Sequence, residues 1–341
     1  MSQSPYKLIV VLGVTGRQGS SVASTFLNIN GWKVRGVTRN VNSDAAKTQA
    51  SKGVEIVQGD LDDVASLRAA FMGAHAIFLM TDFWSIFSQP DTIQAAQTAG
   101  QFLPSYVHDQ ESRQGINAAE AASSPEVLAT LERFVFTTLA NVSKRSGGKY
   151  RSVYHFDSKA AVEEYVLDKR PGLAKLMSTV NMGFFAENWR ITALFSPHKQ
   201  RDGSYVFRDP LVPGPHQAMP FVVAEKDTGT FVKALVVDLP PRTNLLGVSE
   251  MITMTDFATL WGQVLGVDAR EEKMSEDVFL EQFPDVLRQE FSDNFRFVRE
   301  FGYTGNDPGI STPQELGIPT TSMEQFIKDE DWSSVLVPAA S

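Results

Sequence analysis

The chain has 341 residues, enough for one large domain or two fused ones, and its 43% hydrophobic and 21% charged residues are an ordinary globular balance. Its 31 Lys and Arg against 40 Asp and Glu give a net charge of −9, which argues against a nucleic-acid binder that works through a basic surface. With no cysteine, it holds no disulfide, no Cys-ligated zinc or iron–sulfur cluster and no thiol nucleophile.

The N-terminal residues run straight into the apolar stretch Leu8–Leu12, too short for a membrane span and followed by no small-residue cleavage site. A cytoplasmic protein is expected, with the nucleus compatible and no membrane contact. From there strands and helices alternate. Strands are expected at Lys7–Leu12, Lys33–Thr38, Val54–Gln58, Ala76–Met80, Phe134–Thr138 and Ala174–Ser178. Helices are expected at Ser20–Leu27, Ala45–Ser51, Val64–Phe71, Gln114–Ala122 and Phe156–Leu167. The stretch 82–132 reads as irregular before its helix, and Ser143–Tyr150 as a polar loop. Such alternation, with nearly continuous apolar strands, predicts an α/β fold: a Rossmann-like, doubly wound parallel sheet covered on both faces. Beyond the sixth strand the alternation weakens and aromatic pairs dominate. We expect a dinucleotide-binding domain over 1–180, rejoined by part of 220–250, and a smaller C-terminal α/β lobe over 181–341 that covers the cleft. The acidic run Asp329–Asp331 reads as a solvated surface.

The densest signal is Gly13-Val14-Thr15-Gly16-Arg17-Gln18-Gly19, between the first strand and the first helix. Gly13 lets the strand turn, Gly16 lets backbone approach a pyrophosphate, and Gly19 lets helix and strand pack closely, with the helix N-terminus facing the phosphate charge. Thr15, Arg17 and Gln18 belong to the same phosphate-facing turn. At the end of the second strand an acidic residue would select NAD, and an arginine NADP. Here Arg39 stands in Val37-Thr38-Arg39-Asn40, with no carboxylate between Lys33 and Ser43. Its guanidinium can grip a 2′-phosphate, with Arg17 as a second contact, so NADP(H) is the expected cofactor. Asp60 sits either at the adenine edge or as a helix cap, a role that Asp62 or Asp63 also fits.

Reductases of this architecture pair a proton donor with a lysine on one helix face. In Tyr154-His155-Phe156-Asp157-Ser158-Lys159, four residues separate His155 from Lys159, so these two share a face and the tyrosine does not. Lys159 suits the nicotinamide ribose. His155 reads either as a proton donor or as a packing residue, since the sequence shows no partner for it. Thr137 and Thr138 read as strand threonines at the place of a catalytic serine. Thr81 follows the fourth strand and is expected at the cofactor; Phe83 and Trp84 after it, with Asn181, Phe184 and Phe185, are the candidate substrate pocket. No metal site is expected.

These pieces, GVTGRQG (13–19), VTRN (37–40), QGD (58–60), TDFW (81–84), HFDSKAAVEEY (155–165) and NMGFFAEN (181–188), resemble the NmrA-like family of atypical short-chain dehydrogenases, and most of all its NADPH-sensing branch. The resemblance implies an NADP(H)-binding lobe and, often, regulatory duty toward a protein partner, with other members true reductases. The lead expectation is therefore a nicotinamide redox sensor. The alternative is an NADPH-dependent oxidoreductase of a small carbonyl, quinone or imine substrate, using Lys159 and His155. Either a monomer or a homodimer is compatible, and the sequence leaves catalysis itself open.

Overall fold

The computed structural model describes residues 6–214 and 217–336; the N-terminal residues 1–5, which the absence of a targeting segment partly concerns, lie outside them. Among the described residues, eight strands form one sheet in which every pairing is parallel. β1 (Lys7–Leu12), β2 (Trp32–Thr38) and β3 (Glu55–Gln58) step outward in one direction; β4 (Ala76–Leu79), β5 (Arg133–Thr138) and β6 (Met177–Met182) step outward in the other. Asn244–Gly247 and then Ile310–Ser311 extend the β6 edge. The direction of winding reverses between β1 and β4, which is where an open α/β sheet presents its ligand crevice. All four residues of β4 and all six of β6 are buried, as strands covered on both faces must be.

On one face, α1 (Arg17–Leu27) sends Val22 and Phe26 into a core shared with Phe231 and Leu235. The next five helices are α2 (Asp44–Ser51), α3 (Val64–Phe71), α4 (Phe83–Phe87), α5 (Pro90–Thr98) and α6 (Leu103–Ala122). On the other face, α3, α6 and the helix Tyr154–Lys169 bury Leu67, Phe71, Ala118, Ala122, Val162 and Val166. Two three-stranded sheets follow in the C-terminal half, around a core of Phe207, Phe257, Trp261 and Trp332. Among the described residues no helix is long and apolar enough to cross a membrane.

The structure departs from the sequence reading in places. The sixth strand is Met177–Met182, because Pro171 opens a helical turn that absorbs Ala174. The stretch 82–132 is mostly helical: Phe83–Phe87, Pro90–Thr98 and a twenty-residue α6 whose polar first half hid its period. Val142–Arg145 is a short helix that overlaps the start of the expected loop. Glu330 is not solvated: its side chain is 7% exposed and held by Arg190.

Candidate functional site

The glycine loop opens the crevice at the end of β1. Gly13 has φ of +63°, and the Gly16 N–H donates to Gly13 O at 2.9 Å, closing a tight turn. A Cβ on Gly19 would lie 2.2 Å from Gly13 O, so only glycine lets the first turn of α1 rest on the strand end. Gly16 differs: a Cβ there would meet only Gly13 O, at 3.4 Å, and otherwise face open space. Gly16 is also the N-cap of α1, and no side chain caps the helix. Its first amides are therefore available to an anion. Gln18 Oε1, on this first turn, and Thr137 Oγ1, near the end of β5, are buried without a hydrogen-bond partner. A buried polar atom in that state is costly unless a ligand or water meets it. Thr15 and Gly16 are exposed at the turn, as is Arg39 beyond the end of β2, and no ion pair engages Arg39 among the described residues. Asp63, not Asp60, caps α3 by accepting from Ala65 and Ser66, so Asp60 is not consumed by that role. These features fit a phosphorylated dinucleotide.

The helix Tyr154–Lys169 delivers the second half of the site. His155 and Lys159 share its face, as the spacing predicts. His155 has the partner that the sequence did not reveal. Its Nδ1 lies 2.6 Å from Oε1 of Glu290, and its backbone N–H donates to the same oxygen at 3.0 Å. Glu290 is 1% exposed, and its Oε2 has no partner. The helix that carries it, Asp285–Phe301, is pinned by Asp293, which accepts from the backbone of Arg151 and Ser152 at 3.1 Å each. Lys159 is likewise tied down. Its Nζ is paired with fully buried Glu111 of α6 and stands 3.4 Å from both Thr81 O and Thr81 Oγ1. The Ser158 hydroxyl donates to the other oxygen of Glu111. α6 reaches this close because Gly115 has no side chain where a Cβ would sit 2.4 Å from Val162.

Phe83, Trp84, Phe156 and Phe291 surround the His155 ring, with Trp84 5.1 Å from it and stacked on Phe291 at 13°. Trp84 is 39% exposed and offers a flat indole face beside the dyad. Of the other pocket candidates, Asn181 is buried on β6. Phe184 packs on Phe195 and Phe221 instead of on His155, lining a cavity of about 30 Å³ that has room for little more than one water. Phe185 pairs with Val222 and packs against the main core. Glu111 and Glu290 had a legible signal: each stands on a buried helical stripe, Glu111-Gly115-Ala118-Ala122 and Leu287-Glu290-Asp293-Phe297, where a carboxylate needs a partner.

The NmrA-like family profile matches residues 5–327. The chain belongs to the NmrA-like family. Among its relatives, the NmrA-like family domain-containing oxidoreductase himF of Aspergillus japonicus is 26% identical over 89% of this chain and 87% of its own. The oxidoreductase hkm9 of Aspergillus hancockii is 27% identical over 77% and 74%. Among solved structures, NmrA, a negative transcriptional regulator in complex with NADP, matches with a TM-score of 0.65 at 18% identity, covering 96% of this chain and 95% of that one. The Escherichia coli NADPH-dependent quinone oxidoreductase QOR2 complexed with NADPH matches at 0.66 and 17%, covering 94% and 99%. The two structural likenesses carry the fold, which is of the Rossmann type that binds NAD(P) in those proteins.

Proposed function

We propose that this NmrA-like protein is an NADP(H)-dependent oxidoreductase acting on a small, planar carbonyl, quinone or imine substrate. The observation that carries this reading over the sensor expected from sequence is the His155–Glu290 pair. The sensor expectation rested on the resemblance to the NADPH-sensing branch and left His155 open for want of a partner; Glu290 supplies one. The oxidoreductase names of the relatives at 26–27% identity support the same choice.

In this reading Gly13–Gly19 and the first turn of α1 cradle the pyrophosphate, Arg39 and Arg17 take the 2′-phosphate, Asp60 flanks the adenine, and Thr81 and Lys159 hold the nicotinamide ribose. Bound NADPH would supply the hydride. Glu290 accepts from His155 Nδ1 and fixes the ring, so Nε2 is the nitrogen left to hand a proton to a reduced oxygen or nitrogen. Glu111 balances the Lys159 charge while the Thr81 oxygens aim the ammonium. Trp84, braced by Phe291, is the wall on which a planar substrate stacks. The test is NADPH oxidation over a panel of carbonyls, quinones and imines, run on the parent and on His155→Phe. Turnover in the parent that falls in the variant supports the oxidoreductase. Nucleotide binding with no turnover on any substrate returns the site to the regulatory reading.

A further inference from the structure

Arg17 is the one charged side chain in Gly13–Gly19, and it is already engaged. Its Nε lies 3.5 Å from Glu225 Oε1. The same oxygen accepts from an Arg190 Nη1–H at 2.9 Å, and Arg190 Nε donates to Glu330 Oε1 at 2.8 Å. Glu225 is held in place by its backbone. It stands in the first turn of the helix Ala224–Lys233, and its N–H donates to Oε1 of buried Glu187 at 3.0 Å. That helix lies tightly against α1. Ser21 Oγ donates to Lys226 O at 3.0 Å and accepts from Gly229 N at 2.9 Å, and a Cβ on Gly229 would lie 2.4 Å from Ser21 O. Arg17 precedes Ser21 by one turn, and Glu225 precedes Gly229 by one turn. The register that seats Ser21 on Gly229 therefore places a carboxylate against the arginine of the phosphate loop.

We infer that Glu225 is a specificity-determining residue of the cofactor site, one that holds Arg17 back from the cofactor's 2′-phosphate and so narrows the preference for NADP(H) over NAD(H). The inference rests on the reading that this loop takes NADP(H). A guanidinium pairs with either a carboxylate or a phosphate, and the two compete for one fork of donors. Arg17 and Glu225 are both part-exposed, so their pair is weak enough for a phosphate to break. When Arg17 leaves, Glu225 keeps Arg190, which lowers the cost of release. NAD(H) lacks the extra phosphate and leaves the Arg17–Glu225 contact intact.

The test is calorimetric titration of NADPH and NADH into the full-length parent, Glu225→Gln, Arg190→Gln, Arg17→Gln and the double variant Arg17→Gln/Glu225→Gln, with thermal melts to establish folding. Glu225→Gln is expected to tighten NADPH roughly threefold to fivefold, with NADH changed by less than about twofold. Arg190→Gln, which leaves Glu225 to Arg17 alone, shifts the ratio the other way. In the Arg17→Gln background, Glu225→Gln has no effect. An unchanged ratio in Glu225→Gln, or an equal gain for both nucleotides, overturns the inference. If Glu225→Gln does not fold, the direction of the Arg190→Gln shift decides. A parent that binds neither nucleotide refutes the cofactor reading itself, which is a separate outcome.

Discussion

Replacing Glu111 with leucine strands the Lys159 ammonium. Glu111 is fully buried and Lys159 is 14% exposed, so neither charge can turn to bulk water for compensation. Removing one member of such a pair costs about 3–5 kcal/mol, because the other remains buried and uncompensated. The reverse single change, Lys159→Met, leaves the carboxylate with only the Ser158 hydroxyl and carries a similar cost. The double variant Glu111→Leu/Lys159→Met replaces the pair with two apolar side chains and loses chiefly the Ser158 hydrogen bond, about 1 kcal/mol. With an m value of about 3 kcal/mol per molar urea, each single variant should drop the unfolding midpoint by about 1–1.7 M, and the double by about 0.3 M. The four urea curves form a double-mutant cycle, and its coupling term should exceed about 2 kcal/mol. Additive losses in the double variant would refute the claim that the two charges exist for each other. Nucleotide titration on the same proteins separates stability from binding: affinity lost in Lys159→Met should not return in the double.

Gly16→Val should abolish nucleotide binding yet keep the melting temperature near the parent's, since its Cβ meets only Gly13 O at 3.4 Å. Gly19→Val, with backbone at 2.2 Å, should instead lower the melting temperature markedly. Arg39→Ala should weaken NADPH by about tenfold or more and NADH hardly at all, because a bidentate charged hydrogen bond contributes about 1.5–3 kcal/mol; equal losses by calorimetry would contradict the assignment. Glu290→Gln should lower kcat about 10²-fold or more with the NADPH affinity unchanged, as expected if it acts on the chemical step through His155. Burial pushes the Asp209 carboxyl up to about 6 from 3.8, only partly offset by Arg299 at 3.2 Å. A raised carboxyl binds more protons in the folded state, so this group subtracts stability as pH rises through about 4 to 6. Asp209→Asn should therefore gain on the parent in melts at pH 7.5 relative to pH 4; a constant difference across that range would count against the burial argument.

The glycine turn between β1 and α1 was legible because it is local. Gly13, Gly16 and Gly19 act within one turn of chain, and β1, Val64–Phe71 and the second strand's Thr38 end fall where apolar runs and turn residues place them. The shared face of His155 and Lys159 followed from helical spacing alone. What stayed hidden was tertiary. Glu111 and Glu290 acquire meaning only once α6 and the helix Asp285–Phe301 dock against Tyr154–Lys169, and no periodicity says which carboxylate meets which base. Phe184 was drawn to the pocket by its neighbours in sequence, yet an aromatic residue in a mixed lobe is as readily core as lining, and Phe195 and Phe221 claim it. Glu330 was misread for a related reason: three consecutive acids look solvated until Arg190 is brought to one of them.

The distances along the chain between partners imply an order of assembly. The loop Gly13–Gly19 closes over seven residues and needs only β1 and α1, whereas His155 must wait for Glu290, 135 residues later. Loop-closure entropy makes the first contact cheap and the second slow. During refolding, the glycine turn should therefore mature before the His155–Glu290 pair. A chain arrested before the Asp285–Phe301 helix docks would hold its glycine turn with an unanchored imidazole, so that on the proposed reading a nucleotide would protect such a species without restoring turnover.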